Sequence, residues 1–185
     1  MDEKILSAAR TLLANNGYEG MTYEAIGAMC GVGRPTIYRR WPSKVHLAAE
    51  VAYGSQENLP ETGGNLRTQI HALVSQVAER YRLPEVGAAT VALISSFQKD
   101  KALRAQLHTP AEEAARHQLQ SIVARAKDRG VIDQAADADL LFDIIVGTLV
   151  FRLVFSSTER PTDLVEALTY HLCHALAPQQ APLDT

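Results

Sequence analysis

Apolar residues recur along this chain at helical spacing, and no segment shows convincing strand alternation. Ile5, Ala8, Ala9, Leu12 and Leu13 form one stripe of a first helix. Asn15-Asn16-Gly17 is expected to stop it, with Gly17 suited to the left-handed position past a helix end. Thr22 can cap a short second helix through its hydroxyl, and Ala25, Ile26 and Met29 give that helix an inner face. Gly31 ends it and Gly33-Arg34-Pro35 opens a third. Proline fits there because first-turn N–H groups lack intrahelical acceptors anyway. Pro42 closes the third helix by disfavouring helical geometry at Trp41. Ser43 can then cap a fourth, with Leu47, Ala48, Val51 and Ala52 inward.

Gly54 to Gly64 is polar, with Pro60 and a Gly-Gly pair, and reads as a linker. The expected division is therefore 1–53 and 54–185. Beyond the linker the helices lengthen. Leu66, Ile70, Leu73, Val74, Val77 and Tyr81 mark a fifth, and Glu85 to Gln98 is apolar nearly all round, as a buried helix would be. Thr109-Pro110-Ala111-Glu112 has the form of a capping box, beginning a helix that Gly130 closes. Asp137 can cap the very apolar stretch through Phe155. Thr162 can cap the last helix, with Leu164, Val165, Leu168, Leu172 and Leu176 inward and Pro178 beyond its end. The expectation is an all-α protein of about nine helices, with residues 178–185 a disordered tail. No internal repeat is present.

Composition narrows the class. The 185 residues are 46% apolar and 21% charged, ordinary values for a soluble globular protein. Two cysteines, Cys30 and Cys173, provide neither a disulfide framework nor a four-cysteine zinc site. The N-terminus has no signal-peptide pattern, and the longest uncharged run in the most apolar region, Ile144 to Phe151, falls far short of the ~18–20 residues that span a bilayer. A cytoplasmic protein is expected. The net charge of −3 does not suggest nucleic-acid binding, but its distribution does. No Asp or Glu lies between Glu24 and Glu50, where Arg34, Arg39, Arg40 and Lys44 fall. Such a basic stretch is what a DNA-contacting face needs, although a solvated charged face would look the same.

Two short helices around a tight Gly31-Val32-Gly33 turn form a helix-turn-helix pattern, whose second member enters the major groove. Val32 and Ile37 would face inward, and Arg34, Thr36, Arg39 and Arg40 outward. Gly17-Tyr18, Met21 to Gly27 and the run Gly31-Val32-Gly33-Arg34-Pro35-Thr36-Ile37-Tyr38-Arg39-Arg40-Trp41-Pro42-Ser43-Lys44 resemble the TetR family of bacterial regulators over residues 4 to 52, and the Arg-Pro-Thr-Ile-Tyr-Arg-Arg-Trp segment looks like one subgroup. Gly27 departs from the family, where alanine is commoner. The resemblance implies an N-terminal three-helix DNA-binding domain and a C-terminal helical ligand-binding and dimerisation domain. It also implies that Thr22 and Tyr23 touch phosphate, and that Arg34, Pro35 and Thr36 reach base edges. Arg34 could pair with a guanine; the Pro35 ring or Thr36 methyl could touch a thymine methyl. Tyr38 would donate to phosphate, as would Arg39 and Arg40 unless one points away. Lys44 would favour phosphate at the start of the fourth helix. Core packing alone is the alternative for Tyr38 and Trp41, and helix capping for Thr22.

For the rest of the chain the resemblance implies a homodimer through the last two long helices, with Leu149, Phe151, Phe155, Leu168 and Leu172 as interface candidates. Burial within one chain would explain the same apolar residues. It further implies a cavity for a small, hydrophobic or aromatic effector. Wall candidates are Leu73, Val77, Leu93, Phe97, Leu119, Phe142 and Ile145; polar candidates are Gln76, Arg80, Ser95, Asp143 and Arg152. The leading reading is a repressor released from a palindromic operator by that effector. The alternative is a DNA-bound adaptor whose larger domain docks a protein and senses no small molecule. Glu113 with His117 and His171 with His174 give two potential ligands per helix face, short of a metal site. Cys30 reads as packing, with redox sensing as its alternative and as that of Cys173. No nucleophile elbow, P-loop, Rossmann glycines or zinc motif is present, so neither an enzyme nor a cofactor is expected.

Overall fold

The computed structural model describes residues 1–54, 64–156 and 163–178, and within the helix that begins at Thr109 it leaves out the side chains of 109–111. Among these residues there are ten α-helices and no strand: α1 Asp2–Gly20, α2 Tyr23–Cys30, α3 Arg34–Arg40, α4 Lys44–Tyr53, α5 Leu66–Tyr81, α6 Pro84–Lys99, α7 Lys101–Leu107, α8 Thr109–Asp128, α9 Ala138–Val150 and α10 Leu164–Leu176. A π-helical turn, Phe151–Phe155, extends α9.

Two compact units emerge, Met1–Glu57 with Arg80–Glu112, and Asn58–Glu79 with Glu113–Thr185. In the first, α6 packs against α1 and α4. Ile5, Leu13, Ile26, Ile37, Trp41, Leu47, Ala89 and Leu93 belong to its core. The helix-turn-helix segment thus rests on two longer helices rather than on its own small core. In the second unit Ile70, Val74, Leu119, Leu141, Ile145 and Leu149 are buried. Arg116 spans from α8 to Asp143, 2.6 Å away on α9, and Arg67 pairs with Glu166.

Several local expectations need correction. Gly17 does interrupt the first helix with a non-helical, positive-φ backbone (φ 65°, ψ −174°), but a second short helical stretch follows the kink and carries α1 on to Gly20. The tenth helix is α7. It has no fully buried side chain, so no apolar stripe marks it, and its visible signal is Asp100, which accepts from the Leu103 N–H at 2.9 Å. α6 is not buried all round, since Val91 and Ile94 are 45% and 41% exposed. Met29 is also exposed rather than on the inner face of α2. Ser43 precedes α4 without capping it by its side chain; its hydroxyl is 2.8 Å from His46 Nδ1. The cap of α10 is Asp163, which accepts from the Val165 and Glu166 N–H groups. The Asp137 cap of α9 forms as expected, accepting from Asp139 and Leu140. The linker residues 55–63, Thr162, the Thr109 and Pro110 side chains and the tail from 179 lie outside the described residues.

Candidate nucleic-acid interface

The turn between α2 and α3 is built from backbone. Gly31 takes a left-handed conformation, φ 70°, and the Gly27 carbonyl accepts from both the Gly31 and Val32 N–H groups, at 2.9 and 3.2 Å. A Cβ on Gly27 would sit 2.6 Å from the Val32 carbonyl oxygen. The tight return therefore leaves no room for a Cβ at Gly27 unless the backbone at Val32 shifts. At the other end of α2, the Thr22 hydroxyl accepts from the Ala25 N–H at 3.1 Å. Its own proton stays available to an outside acceptor.

α3 is anchored by one fully buried side chain, Ile37, and by Trp41 just beyond its end. Trp41 is therefore core. Arg34, Pro35, Tyr38, Arg39 and Arg40 are exposed, and Thr36 is half-buried. Tyr38 is 48% exposed, so its hydroxyl can reach an external group. Tyr23 departs from the expected phosphate role. Its ring is buried and its hydroxyl donates to the Trp41 carbonyl at 2.7 Å. A phenol has one proton to give, and here that proton fixes the end of α3. Burial first, then Tyr38 and Tyr18 nearby, push the Tyr23 pKa up to about 12, so it remains a neutral donor at pH 7.

Folding brings acids against the basic stretch that the sequence leaves clear of them. Arg34 pairs with Glu24 at 2.8 Å and lies 5.9 Å from the centre of the Tyr23 ring. Arg40 is 3.2 Å from Asp2. Lys44 reaches the Glu19 carbonyl at 3.4 Å and sits 4.4 Å over the Tyr18 ring. Arg39 has no ion-pair partner among the described residues. The Arg34 and Arg40 pairs are exposed, and such pairs contribute at most about 1 kcal/mol each. A phosphate can displace the carboxylate at little cost. Glu24, Asp2 and Glu19 are the residues of this surface that the sequence did not indicate.

The effector candidates divide between the two units. Arg80, Leu93 and Phe97 belong to the first, where Leu93 and Phe97 are core side chains. Leu93, at 1% exposure, is sealed away from any cavity, whereas Phe97 keeps 7% and lies beside the His108 ring. Leu73, Gln76, Val77, Leu119, Phe142 and Ile145 belong to the second. Leu73, Leu119 and Ile145 are buried there, Gln76 and Val77 are half-buried, and the Arg116 guanidinium lies 4.3 Å over the Phe142 ring. Ser95 is exposed and Arg152 half-buried. Among the interface candidates, Leu149, Leu168 and Leu172 are buried inside a single chain, so they cannot form a surface for a second copy. Phe151 and Phe155 are 62% and 53% exposed. The sequence reading missed Leu140, Ile144 and Tyr170, which are exposed as well. Among the described residues no three His, Cys, Asp or Glu side chains gather as a metal site, and no helix is long and apolar enough to cross a membrane. Both cysteines are half-buried free thiols. Burial raises the pKa of Cys173, which works against a reactive thiolate there.

Residues 5–51 match a family model described as bacterial regulatory proteins, tetR family, and residues 59–172 match one described as the tetracyclin repressor-like C-terminal domain. An uncharacterized HTH-type transcriptional regulator of Mycobacterium tuberculosis is 32% identical over 172 residues, covering 90% of this chain and 83% of the relative. The DNA-binding transcriptional repressor TetR of Mycobacteroides abscessus is 27% identical, over 80% of each chain. Among solved structures, Salmonella enterica GusR superposes with a TM-score of 0.70 at 21% identity, covering 94% of both chains. The fatty acid degradation regulator FadR of Bacillus halodurans superposes with a TM-score of 0.68 at 19% identity, over 92% of this chain and 93% of that one.

Proposed function

The chain belongs to the TetR family of helix-turn-helix transcriptional regulators, and from that premise we propose that it is a repressor. It acts as a homodimer on a palindromic operator and is released by a small effector with a hydrophobic or aromatic body. The observation that carries the DNA-reading part is the composition of α3. Ile37 is its one buried side chain, and Arg34, Pro35 and Thr36 lie in its first turn, where a reading helix meets base edges. Tyr38, Arg39, Arg40, Thr22 and Lys44 supply donors for phosphate around it. Tyr23 serves by holding Trp41. Repression is the activity named for the Mycobacteroides abscessus relative, and the ligand-responsive half rests on the match to the tetracyclin repressor-like C-terminal domain.

A homodimer is supported by one stripe of exposed side chains. Leu140, Ile144, Phe151 and Phe155 are all more than 40% exposed in the single chain and recur at helical spacing along α9 and its π turn. Covering such a stripe with its own copy would bury it by two-fold symmetry. Two reading helices ~34–36 Å apart would then meet successive major grooves.

Selection of bound duplexes from random DNA tests the reading directly. A palindromic consensus is expected, with strong salt dependence. If Arg39, Arg40 and Lys44 each neutralise one phosphate per protomer, log K should fall with log salt at a slope of roughly −5. Association that ignores salt, or that shows no preferred sequence, would overturn it. Screening of small molecules for release of the selected operator then tests the effector.

A further inference from the structure

Among the described residues of the first unit, one partly buried cation faces no counter-charge. Arg80, at the end of α5, has its Nη2 sealed from solvent with no hydrogen-bond partner. Desolvation lowers its pKa, and the groups acting against that are Tyr81 and Tyr53, which are uncharged at neutral pH. Burial raises the pKa of Tyr53 and of Tyr81, so both keep their protons and remain donors. The neighbourhood therefore holds a guanidinium and two phenols, and none of these supplies an ionised acceptor. The acid that acts on Tyr53 is Glu112. Its carboxylate is engaged with His108 at 3.1 Å and Arg104 at 3.8 Å. Rings complete the setting: His108 lies 5.2 Å from Tyr53 and 5.8 Å from Phe97, centre to centre.

A desolvated guanidinium with a donor left over is costly, and proteins normally pair such a group or give it a ligand. Arg presents a planar fork that matches a carboxylate. We propose that Arg80, Tyr53 and Tyr81 are the anion-binding end of an effector site, and that they bind the carboxylate of an organic acid whose apolar body lies against Phe97, Tyr53 and His108. This deepens the reading of the protein as a ligand-responsive regulator and rests on it. A single negative charge fits best. It neutralises Arg80, whereas a dianion would also face Glu112. The end of α4 supplies Tyr53 and the buried face of the same helix belongs to the core that seats α1 and Ile37 of α3. A carboxylate bound here would act on the helix that supports the reading head.

The test uses the full chain with benzoate and hexanoate as probes, and benzamide and hexanamide as their uncharged counterparts, at matched ionic strength. Both carboxylates should raise the melting temperature of the wild type, and the amides should not. Arg80→Met should abolish that response and, by removing an unpaired desolvated charge, raise the unliganded melting temperature by about 2–4 °C. Tyr81→Phe, which keeps the ring, should weaken benzoate binding by about 2- to 10-fold in titration calorimetry; it also covers the case in which Arg80→Met fails to fold. Equal shifts from acid and amide, no shift from either carboxylate, a full response in Arg80→Met or a lowered melting temperature in that variant would each overturn the proposal. Operator release is measured separately with the same compounds. Carboxylate binding that leaves the operator bound supports the anion site and removes the repressor reading. Release by benzamide and benzoate alike, unchanged in Arg80→Met, keeps the repressor reading and overturns the site.

Discussion

α3 and α9 each present a surface beyond the needs of their own core, and the two surfaces obey different physics. α3 buries Ile37 alone, and the rest of it is polar or charged and at ease in water. Two of its three arginines already hold partners, Arg34 with Glu24 and Arg40 with Asp2, so there binding DNA exchanges one set of ionic contacts for another. α9 buries Leu141, Ile145 and Leu149 on one side, while Leu140, Ile144 and, on the π turn, Phe151 remain exposed on the other. Fully burying a side chain of that size stabilises by roughly 1.5–3 kcal/mol. The first surface works reversibly and is tuned by salt. The second, as the dimer seam proposed above, would be covered permanently and should be nearly indifferent to salt. The two contacts are therefore separable by ionic strength and by single substitutions.

The largest effect expected is on the inner side of α9. Leu149→Ala removes a fully buried side chain and should cost about 2–5 kcal/mol, read as a lower denaturation midpoint. Phe151→Asp, only two positions on, should leave helicity intact and shift the protein to monomer in sedimentation. It should also weaken operator binding, because one reading head then acts alone. If Phe151→Asp leaves the dimer whole, the exposed stripe is not the seam.

Those two residues also show why the sequence was legible in one region and opaque in the other. Each helix of the reading head has one apolar face and its own stop signal, Gly31 for α2 and Pro42 for α3. Position within the motif therefore reads as position in space, except at Met29, which is exposed, and Tyr23, which is buried. Leu149 and Phe151 stand about 200° apart around one helix, and both are apolar. Periodicity shows that two stripes exist but not which one faces the chain's own core, and so Leu149, Leu168 and Leu172 read as interface candidates although they are buried. The acidic partners were hidden for another reason. Glu24 lies ten residues from Arg34 and Glu19 twenty-five from Lys44, distances over which no local pattern operates. Arg80 stood out as a polar residue in an apolar setting, but only the fold shows that its guanidinium lacks a partner.

The next effect tests how tightly the head must be built. Alanine normally stabilises a helix relative to glycine. At Gly27 the order should reverse, because the new Cβ would meet the Val32 carbonyl oxygen at 2.6 Å. Gly27→Ala should cost about 1–3 kcal/mol, the range for inserting a methyl into a packed site, and should loosen the turn. DNA affinity should fall on all sequences alike while the dimer persists. Arg34→Ala should behave differently, losing ~1–3 kcal/mol and relaxing preference at one operator position only. A uniform loss on every sequence would assign Arg34 to phosphate.

The smallest effect is the most informative about the cationic face. Glu24→Gln removes the partner that holds Arg34, and both side chains are well exposed, so stability should change by less than about 1 kcal/mol. Binding should change in two opposite ways. Deleting a negative charge beside the reading helix should raise affinity for arbitrary duplexes at low salt. A guanidinium no longer steered by Glu24 should also discriminate less at the base it reads, so the ratio of specific to nonspecific affinity should fall. That ratio, measured at two salt concentrations, separates the roles. If affinity for random and operator DNA rises by the same factor, Glu24 acts only through its charge. A drop confined to the operator position that Arg34→Ala also relaxes would show that the acid aims the arginine.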